Sequence, residues 1–499
     1  MRVQRLVIRA LIVPLAGLIV AAAPAHAQRL RLADVLPQLV LRDIILEPVT
    51  PELSASLIAQ GFFPIISHEA HFSPFEANEL TNPAVGIVRS FNGQMATQFA
   101  TFPLGSSTGG LTYVFDDTLG TLRRGSSSFG PMFGERALTI GRRKLSVGFN
   151  YQRSSFDTFE GQDLGNGSIK FYLRHQDCCG IYSPGPVPPG IRVDDVPNGT
   201  RLNPPFESDL VEAALSLKAT THTTAVFANY GLTDRWDIGL ALPFVHVTLD
   251  ASVTARVIRF LTAPAPDLHT FEAGNPDATR TVAYSGHATG IGDIVLRTKY
   301  RVLRGAGGGL AAAVDLRIPT GDERDLLGAG GTQAKFLVIA SSERGWLAQH
   351  VNFGYTAASG TTGGTFPGLV GTPLPDEINY SGGVELIAHP RITVVGDVIG
   401  RTLRDAGRLR MVSKDFFVPR LPPVGPQAPG CEGSGFECTA VAFDEFDPQP
   451  GNLNLLLGTA GVKINPFGNW LVSASVMAPL TDAGLRSRVT TVVGVDYAF

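Results

Sequence analysis

Counted back from the last residue, every second position of the segment Val489 to Phe499 is apolar, aromatic or Thr: Phe499, Tyr497, Val495, Val493, Thr491 and Val489. The interleaved residues, Ala498, Asp496, Gly494, Thr490 and Arg488, are small or polar, with Val492 the exception. A period of two puts these sets on opposite faces of a strand. One face fit for lipid, one polar face and a terminal aromatic suit the closing strand of a transmembrane β-barrel; a soluble protein can also end on a strand. The other end of the chain separates the two. Arg2, Arg5 and Arg9 precede a short apolar run, Leu11 to Ala23, and Ala25-His26-Ala27 has the form of a signal-peptidase site. Residues 1–27 are therefore expected to be a cleaved signal peptide, with a retained anchor as the alternative. No later run of roughly 18 apolar residues offers a spanning helix. An exported chain of this kind is expected in the outer membrane of a Gram-negative bacterium, among lipid and lipopolysaccharide. Its terminal strand would be presented to the barrel-assembly machinery.

Composition agrees where it is informative. The 56 Gly and 35 Pro suit a turn-rich, all-β chain. The formal net charge of −3 becomes about −6 once the three signal arginines are removed, which leaves no basic footprint for nucleic acid. Four cysteines in an exported chain point to disulfides rather than metal. Cys431 and Cys438 lie close in a Gly/Pro-rich loop and are candidates to close a small ring. The adjacent Cys178 and Cys179 either bridge each other or pair with them, and three connectivities stay open. No Cys/His spacing resembles a metal site, and nothing in the chain calls for a cofactor.

Alternating segments predict about twelve strands, at 144–157, 208–230, 235–257, 291–303, 309–319, 332–341, 346–356, 377–388, 391–401, 452–464, 470–480 and 487–499. Tight turns at 231–234, 304–308, 342–345, 389–390 and 465–469 alternate with longer connections at 158–207, 258–290, 320–331, 357–376 and 402–451. Short periplasmic turns against long outer loops, with an even strand number, characterise outer-membrane barrels. Trp236, Trp346 and Trp470, the only tryptophans, each begin a strand just after a short turn, where an interfacial aromatic girdle would sit. The fold class is thus an all-β, antiparallel transmembrane barrel over 144–499. Residues 28–143 do not join the pattern. They are expected to form a plug or luminal segment, with a periplasmic cap or an extra hairpin giving fourteen strands as alternatives. Within them Leu32 to Pro48 suggests a helix, Met95 to Phe102 and Gly110 to Phe115 short strands, and Arg123 to Gly130 a polar loop.

Charge decides which face points inward. Arg or Lys on the lipid face costs roughly 2–4 kcal/mol at the bilayer midplane. Asp293, Arg297, Lys299 and Arg301 share one face, opposite Leu296, Thr298, Tyr300 and Val302. Across the turn near Ala306, Asp315 falls opposite Arg297 and Arg317 lies beside it. Glu385, Arg391, Asp397 and Arg401 occupy the inward set of the later hairpin. These ten residues are the expected lining of a pore. They either keep the lumen hydrated and lock a plug, or form a constriction that selects permeants by charge.

A catalytic centre is the rival. His350 and Asn352 share a strand face and His246 lies on a long strand, but no nucleophile elbow is assigned and no serine is expected to be set opposite either histidine by a short turn. The acidic run Asp322-Glu323-Arg324-Asp325 reads as a solvated tip or an ion contact with lipopolysaccharide. No catalytic residue is assigned, and the chain is not expected to be an enzyme.

Three motifs carry a resemblance. Gly231-Leu232-Thr233-Asp234-Arg235 followed by Ile238 to Pro243, Gly290-Ile291-Gly292-Asp293-Ile294 with Lys299-Tyr300-Arg301, and Ile318-Pro319-Thr320-Gly321 are similar to segments of an outer-membrane family described as phenol meta-pathway transporters. The resemblance covers about 208–401. It implies a β-barrel and passage of small aromatic or other hydrophobic compounds. The expected function is therefore a passive outer-membrane channel for such solutes. The alternative is a structural or adhesive barrel whose long loops, 158–207 and 402–451, bind a partner.

Overall fold

The computed structural model describes residues 30–47, 50–59, 83–101, 103, 105, 110–116, 121–174, 209–259, 269–305, 308–362, 371–420 and 437–499. Residues 1–27, expected to be a signal peptide, and Cys178, Cys179 and Cys431 lie outside these, and the side chain of Cys438 is likewise not described, so the expected disulfide falls outside the described residues.

Twelve strands form one closed antiparallel barrel: β1 (Leu145–Phe159), β2 (Leu210–Gly231), β3 (Trp236–Ile258), β4 (Ile294–Gly305), β5 (Gly308–Ile318), β6 (Gly331–Arg344), β7 (Leu347–Thr362), β8 (Glu377–His389), β9 (Ile392–Leu403), β10 (Leu453–Ile464), β11 (Trp470–Pro479) and β12 (Leu485–Ala498). Closure is made by β12 on β1, with Val495 opposite Phe149, and the terminal amide of Phe499 donates to the Leu145 carbonyl at 2.7 Å. Because every strand has two neighbours, the ladder has no open edge at membrane depth.

The alternation sorts by environment as its chemistry requires. On β7, Val351 and Phe353 are 62% and 61% exposed, whereas His350 and Asn352 between and beside them are 1% and 4% exposed. Leu296, Leu316, Phe336, Val338, Val398 and Val493 continue the exposed apolar belt around the barrel. Trp236, Trp346 and Trp470 are all exposed at the short-turn end. Trp236 donates to Thr298 at 2.7 Å, and Trp470 stacks at 4.9 Å on Tyr497, which meets Phe499 at 4.6 Å.

One interruption has a local cause. Pro243 on β3 has no amide to give, so the neighbouring ladder breaks there. Strand 280–291 pairs with 244–255 of β3, and β4 pairs with 236–241, with one extra residue on the outer strand between them. Gly292 donates to the Pro243 carbonyl at 2.8 Å across the break. This bulge reverses the face parity, so His287 points outward above it and Leu296 below it.

Residues before the barrel depart from expectation in part. The segment Met95 to Phe102, expected as a strand, lies mostly in a helix: α1 is Val35–Leu41, α2 Pro51–Ala59 and α3 Pro83–Ala100. Apolar residues at 87, 88, 91, 95 and 99 have helical as well as alternating spacing, and the longer period prevails. The pair Tyr113–Asp116 and Thr121–Arg124 forms its own two-stranded sheet and adds nothing to the barrel, which excludes fourteen strands. The acidic turn after β5 is not a free tip: Arg324 pairs with Asp34 at 3.1 Å. In the connection between β9 and β10, strands 408–420 and 437–449 make a hairpin whose buried Phe446 meets Phe159 edge-on.

Placing a cation on the belt tests the assigned exterior. Phe353→Arg should destabilise the folded barrel in vesicles by roughly 2–4 kcal/mol, and Trp346→Arg at the rim by about 1 kcal/mol or less. Urea titration followed by heat-modifiable gel mobility reads both. Equal, negligible losses would remove Phe353 from the lipid-facing side.

Candidate functional site

A ring of twelve strands is wider than the eight whose own side chains fill a barrel interior. The space is occupied by the chain itself, from Ser126 to Ile140, which lies against inward side chains of β3, β4 and β6 to β10. The contacts are largely between backbone amides of that segment and acceptors on the wall. Ile140 donates to Asp237 at 2.9 Å, Met132 and Phe133 to Asp397 at 3.0 and 3.1 Å, Phe129 to Thr393 at 3.2 Å and Ser127 to Glu343 at 3.0 Å. Glu135 and Asn352 exchange two bonds: the Glu135 amide donates to Oδ1 at 2.7 Å and Nδ2 donates to the Glu135 carbonyl at 2.8 Å. Lys463 donates to the Pro131 carbonyl at 2.6 Å. Apart from the bond at the exposed Ser127, each satisfies a group that would otherwise be buried without a partner, worth about 1–3 kcal/mol apiece.

His350 stands at the centre of this contact, with Nδ1 at 3.3 Å from Glu385 and Nε2 at 3.4 Å from Asp397. Its ring lies against Gly134, where a Cβ would come within 2.4 Å of Nε2. The nearby Ser128 hydroxyl donates to Glu385, not to the imidazole. Contrary to expectation, Ser341 does lie opposite His350 across the short turn between β6 and β7, but its hydroxyl accepts from the Ala137 amide at 3.0 Å, and neither serine hydroxyl is hydrogen-bonded to the imidazole.

The ten expected pore residues divide by position. Arg297 and Asp315 face each other in register and are ion-paired, as their parity predicts, and Arg297 also pairs with Glu135 of the luminal segment. Lys299 reaches Glu135 at 3.5 Å. Arg317 donates to the Ala100 carbonyl at 2.7 Å, and Arg401 donates to Thr101 and pairs with Glu377. Glu385 and Asp397 hold the luminal segment. Arg301 turns to the Gly308 carbonyl at 2.6 Å, beside the short turn.

Two residues are not pore lining. Arg391 lies in the turn before β9, exposed, donating to Pro466 at 3.2 Å; it shares the odd parity of Thr393 and Asp397 but precedes the strand, where parity no longer fixes a face. Asp293 sits in the break above β4, 2% exposed, and accepts from the amides of Gly321 at 3.1 Å and Ala329 at 2.8 Å. Thr320 completes this clamp, donating to Gly292 at 2.7 Å and accepting from Ile294 at 3.1 Å. The Gly-Asp and Pro-Thr-Gly motifs are therefore two halves of one loop fastening.

A chamber of about 170 Å³ lies in the lumen, bounded by Thr101, Pro103 and Gly105 after α3 and by Phe133 and Glu135 of the luminal segment. Its wall comes from β2 to β9 and is apolar at Phe227, Ala241, Val295 and Leu337. Elsewhere it is charged, at Arg297, Asp315, Arg317, Lys335, Glu377 and Arg401. Lys335 and Glu377 were absent from the expected set although inward parity marks both. Glu135 carried no such signal, since its segment has no strand pattern.

The family model described as "Putative MetA-pathway of phenol degradation" matches residues 193–363. That span holds the three motifs on which the resemblance rests. No curated protein sequence matches the chain. Among solved structures it is similar to an outer membrane channel from Pseudomonas putida F1, at 11% identity over 73% of this chain and 98% of that one, with a TM-score of 0.37. It is also similar to the CymD monoaromatic hydrocarbon channel (9%, 72% and 89%, TM-score 0.33) and to the Ralstonia pickettii toluene transporter TbuX (10%, 73% and 91%, TM-score 0.26).

Replacing Asp293 by Ala should leave the barrel folded while exposing the amides of Gly321 and Ala329, a local loss of about 1–3 kcal/mol of protection. Hydrogen exchange over 319–330 checks this. Unchanged exchange would mean that the carboxylate does not fasten the loop.

Proposed function

We propose that the chain is an outer-membrane channel for passive movement of small hydrophobic or aromatic compounds. Residues 1–27 are removed on export, and the region 28–143 supplies a luminal plug ahead of the barrel. The observation that carries this is the chamber itself: a space of about 170 Å³ within a barrel whose outside is apolar. A cavity of roughly 150 Å³ takes one benzene molecule. Phe133, Phe227, Val295 and Leu337 give a ring an apolar surface, and the matched family's description is of aromatic degradation.

The paired charges around the chamber serve position more than selection. Arg297 joins wall to luminal segment through Asp315 and Glu135, and Arg401 joins Glu377 on β8 to the carbonyl of Thr101. The luminal residues that bound the chamber, Thr101, Pro103 and Gly105 on one part and Phe133 and Glu135 on another, are the ones whose position sets the room left for a solute.

In planar bilayers the purified full chain should open small discrete conductances. The variant Asn352→Ala, which loses the two-point hold on Glu135, should show larger or more frequent openings. Porin-deficient cells expressing the chain should take up labelled toluene faster than cells without it. Sealed bilayers for both proteins, with no gain in uptake, would sink the channel and favour a surface barrel that binds through its loops.

A further inference from the structure

The charges of the chamber do not cancel. Its lining contains four cations, Arg297, Arg317, Lys335 and Arg401, and three carboxylates, Glu135, Asp315 and Glu377. All three carboxylates are engaged: Arg297 holds Glu135 and Asp315, and Arg401 holds Glu377. Lys335 lies opposite Asp315 in the ladder, yet both oxygens of that carboxylate are taken by Arg297. Among the described residues Lys335 has neither an ion pair nor a hydrogen bond, and Arg317 has only the Ala100 carbonyl. A partly buried ammonium in a low-dielectric lumen is costly unless an anion meets it. Phe133 and Phe227 line the same chamber.

We propose that the chamber is a binding site for an arene monocarboxylate, its carboxylate on Lys335 with Arg317 beside it and its ring against Phe133 and Phe227. This rests on the channel function for the route by which the ligand arrives, but not for the site. The volume admits a single ring. A carboxyl group, with an ordinary pKa near 4, is ionised at neutral pH, whereas a phenolic hydroxyl, near 10, is not and brings no charge to Lys335. A simple anion would satisfy the ammonium and leave the aromatic lining without a partner.

The test is calorimetric titration of the full chain, purified in detergent, with sodium benzoate, sodium acetate and benzyl alcohol. Benzoate should bind saturably, and the other two at least about tenfold more weakly, the factor set by one charge-assisted hydrogen bond or by burial of the ring. Lys335→Gln should weaken benzoate about tenfold while Lys335→Arg keeps it, heat-modifiable mobility showing that each variant is folded. Arg317→Gln replaces Lys335→Gln if the latter fails to fold, and the three-ligand comparison on the unaltered chain decides on its own. Benzyl alcohol or acetate binding as well as benzoate, or a folded Lys335→Gln chain with undiminished affinity, would overturn the proposal. Bilayer recordings separate it from the channel function. A chain that binds benzoate but conducts nothing loses the channel and keeps the site; one that conducts and ignores benzoate loses only the site.

Discussion

Inside hydrocarbon a backbone amide has no water to bond, so every strand that crosses must find neighbours on both sides. In this chain that requirement is met where β12 returns to β1, and the rest of the molecule follows from the closure. Once the ladder is a ring, strand parity becomes inside and outside. The apolar set must then face lipid, since a midplane Arg or Lys there costs roughly 2–4 kcal/mol. The charged set is left to share an interior wider than side chains alone can fill.

The chain solves that interior with its own backbone. The segment from Ser126 to Ile140 brings unpaired amides, and the wall offers Asp237, Glu343, Asn352, Thr393 and Asp397 as acceptors. The same logic explains why Arg297 is bidentate with Asp315 and also reaches Glu135: one guanidinium with several donors can tie two strands and a luminal segment together. What remains unoccupied is the chamber beside it, where the accounting of charge leaves Lys335 over. Structure and proposed function meet there, because the contacts that make the lumen solid also define the space a solute can take.

Much of the barrel was legible because a two-residue period is a local property. The strand at 208–230 is observed at 210–231, the one at 377–388 at 377–389, and the Arg297–Asp315 register follows from the position of a turn. Trp236, Trp346 and Trp470 marked one rim for the same reason. Legibility ends where the partner is distant in sequence. Arg123 to Gly130 reads only as a polar loop, whereas Ser126 and Ser128 are buried because Glu343 and Glu385 receive their hydroxyls. Asp293 carried the parity of a pore residue, but Pro243 breaks the ladder beside it and turns its carboxylate to the loop amides. Arg391 failed by a single residue at a strand boundary, the least determinate feature of any strand. The helix at 83–100 was misjudged because its apolar spacing satisfies both periods.

The central claim is that the chain's own residues 126–140 occupy the lumen, held by inward groups of the wall. The amide of Ala137 donates to the Ser341 hydroxyl at 3.0 Å, while Ala137 packs with the inward-facing Ala311, Ala313, Leu337 and Ile339. Paired cysteines at 137 and 341, in a chain with its native cysteines replaced, test it in outer membranes without purification. Mild oxidation should give an intramolecular crosslink that alters gel mobility, in high yield and reversed by reductant. No crosslink, with the cysteine at 137 freely labelled by a bulky water-borne reagent, would place the segment outside the barrel and contradict the account.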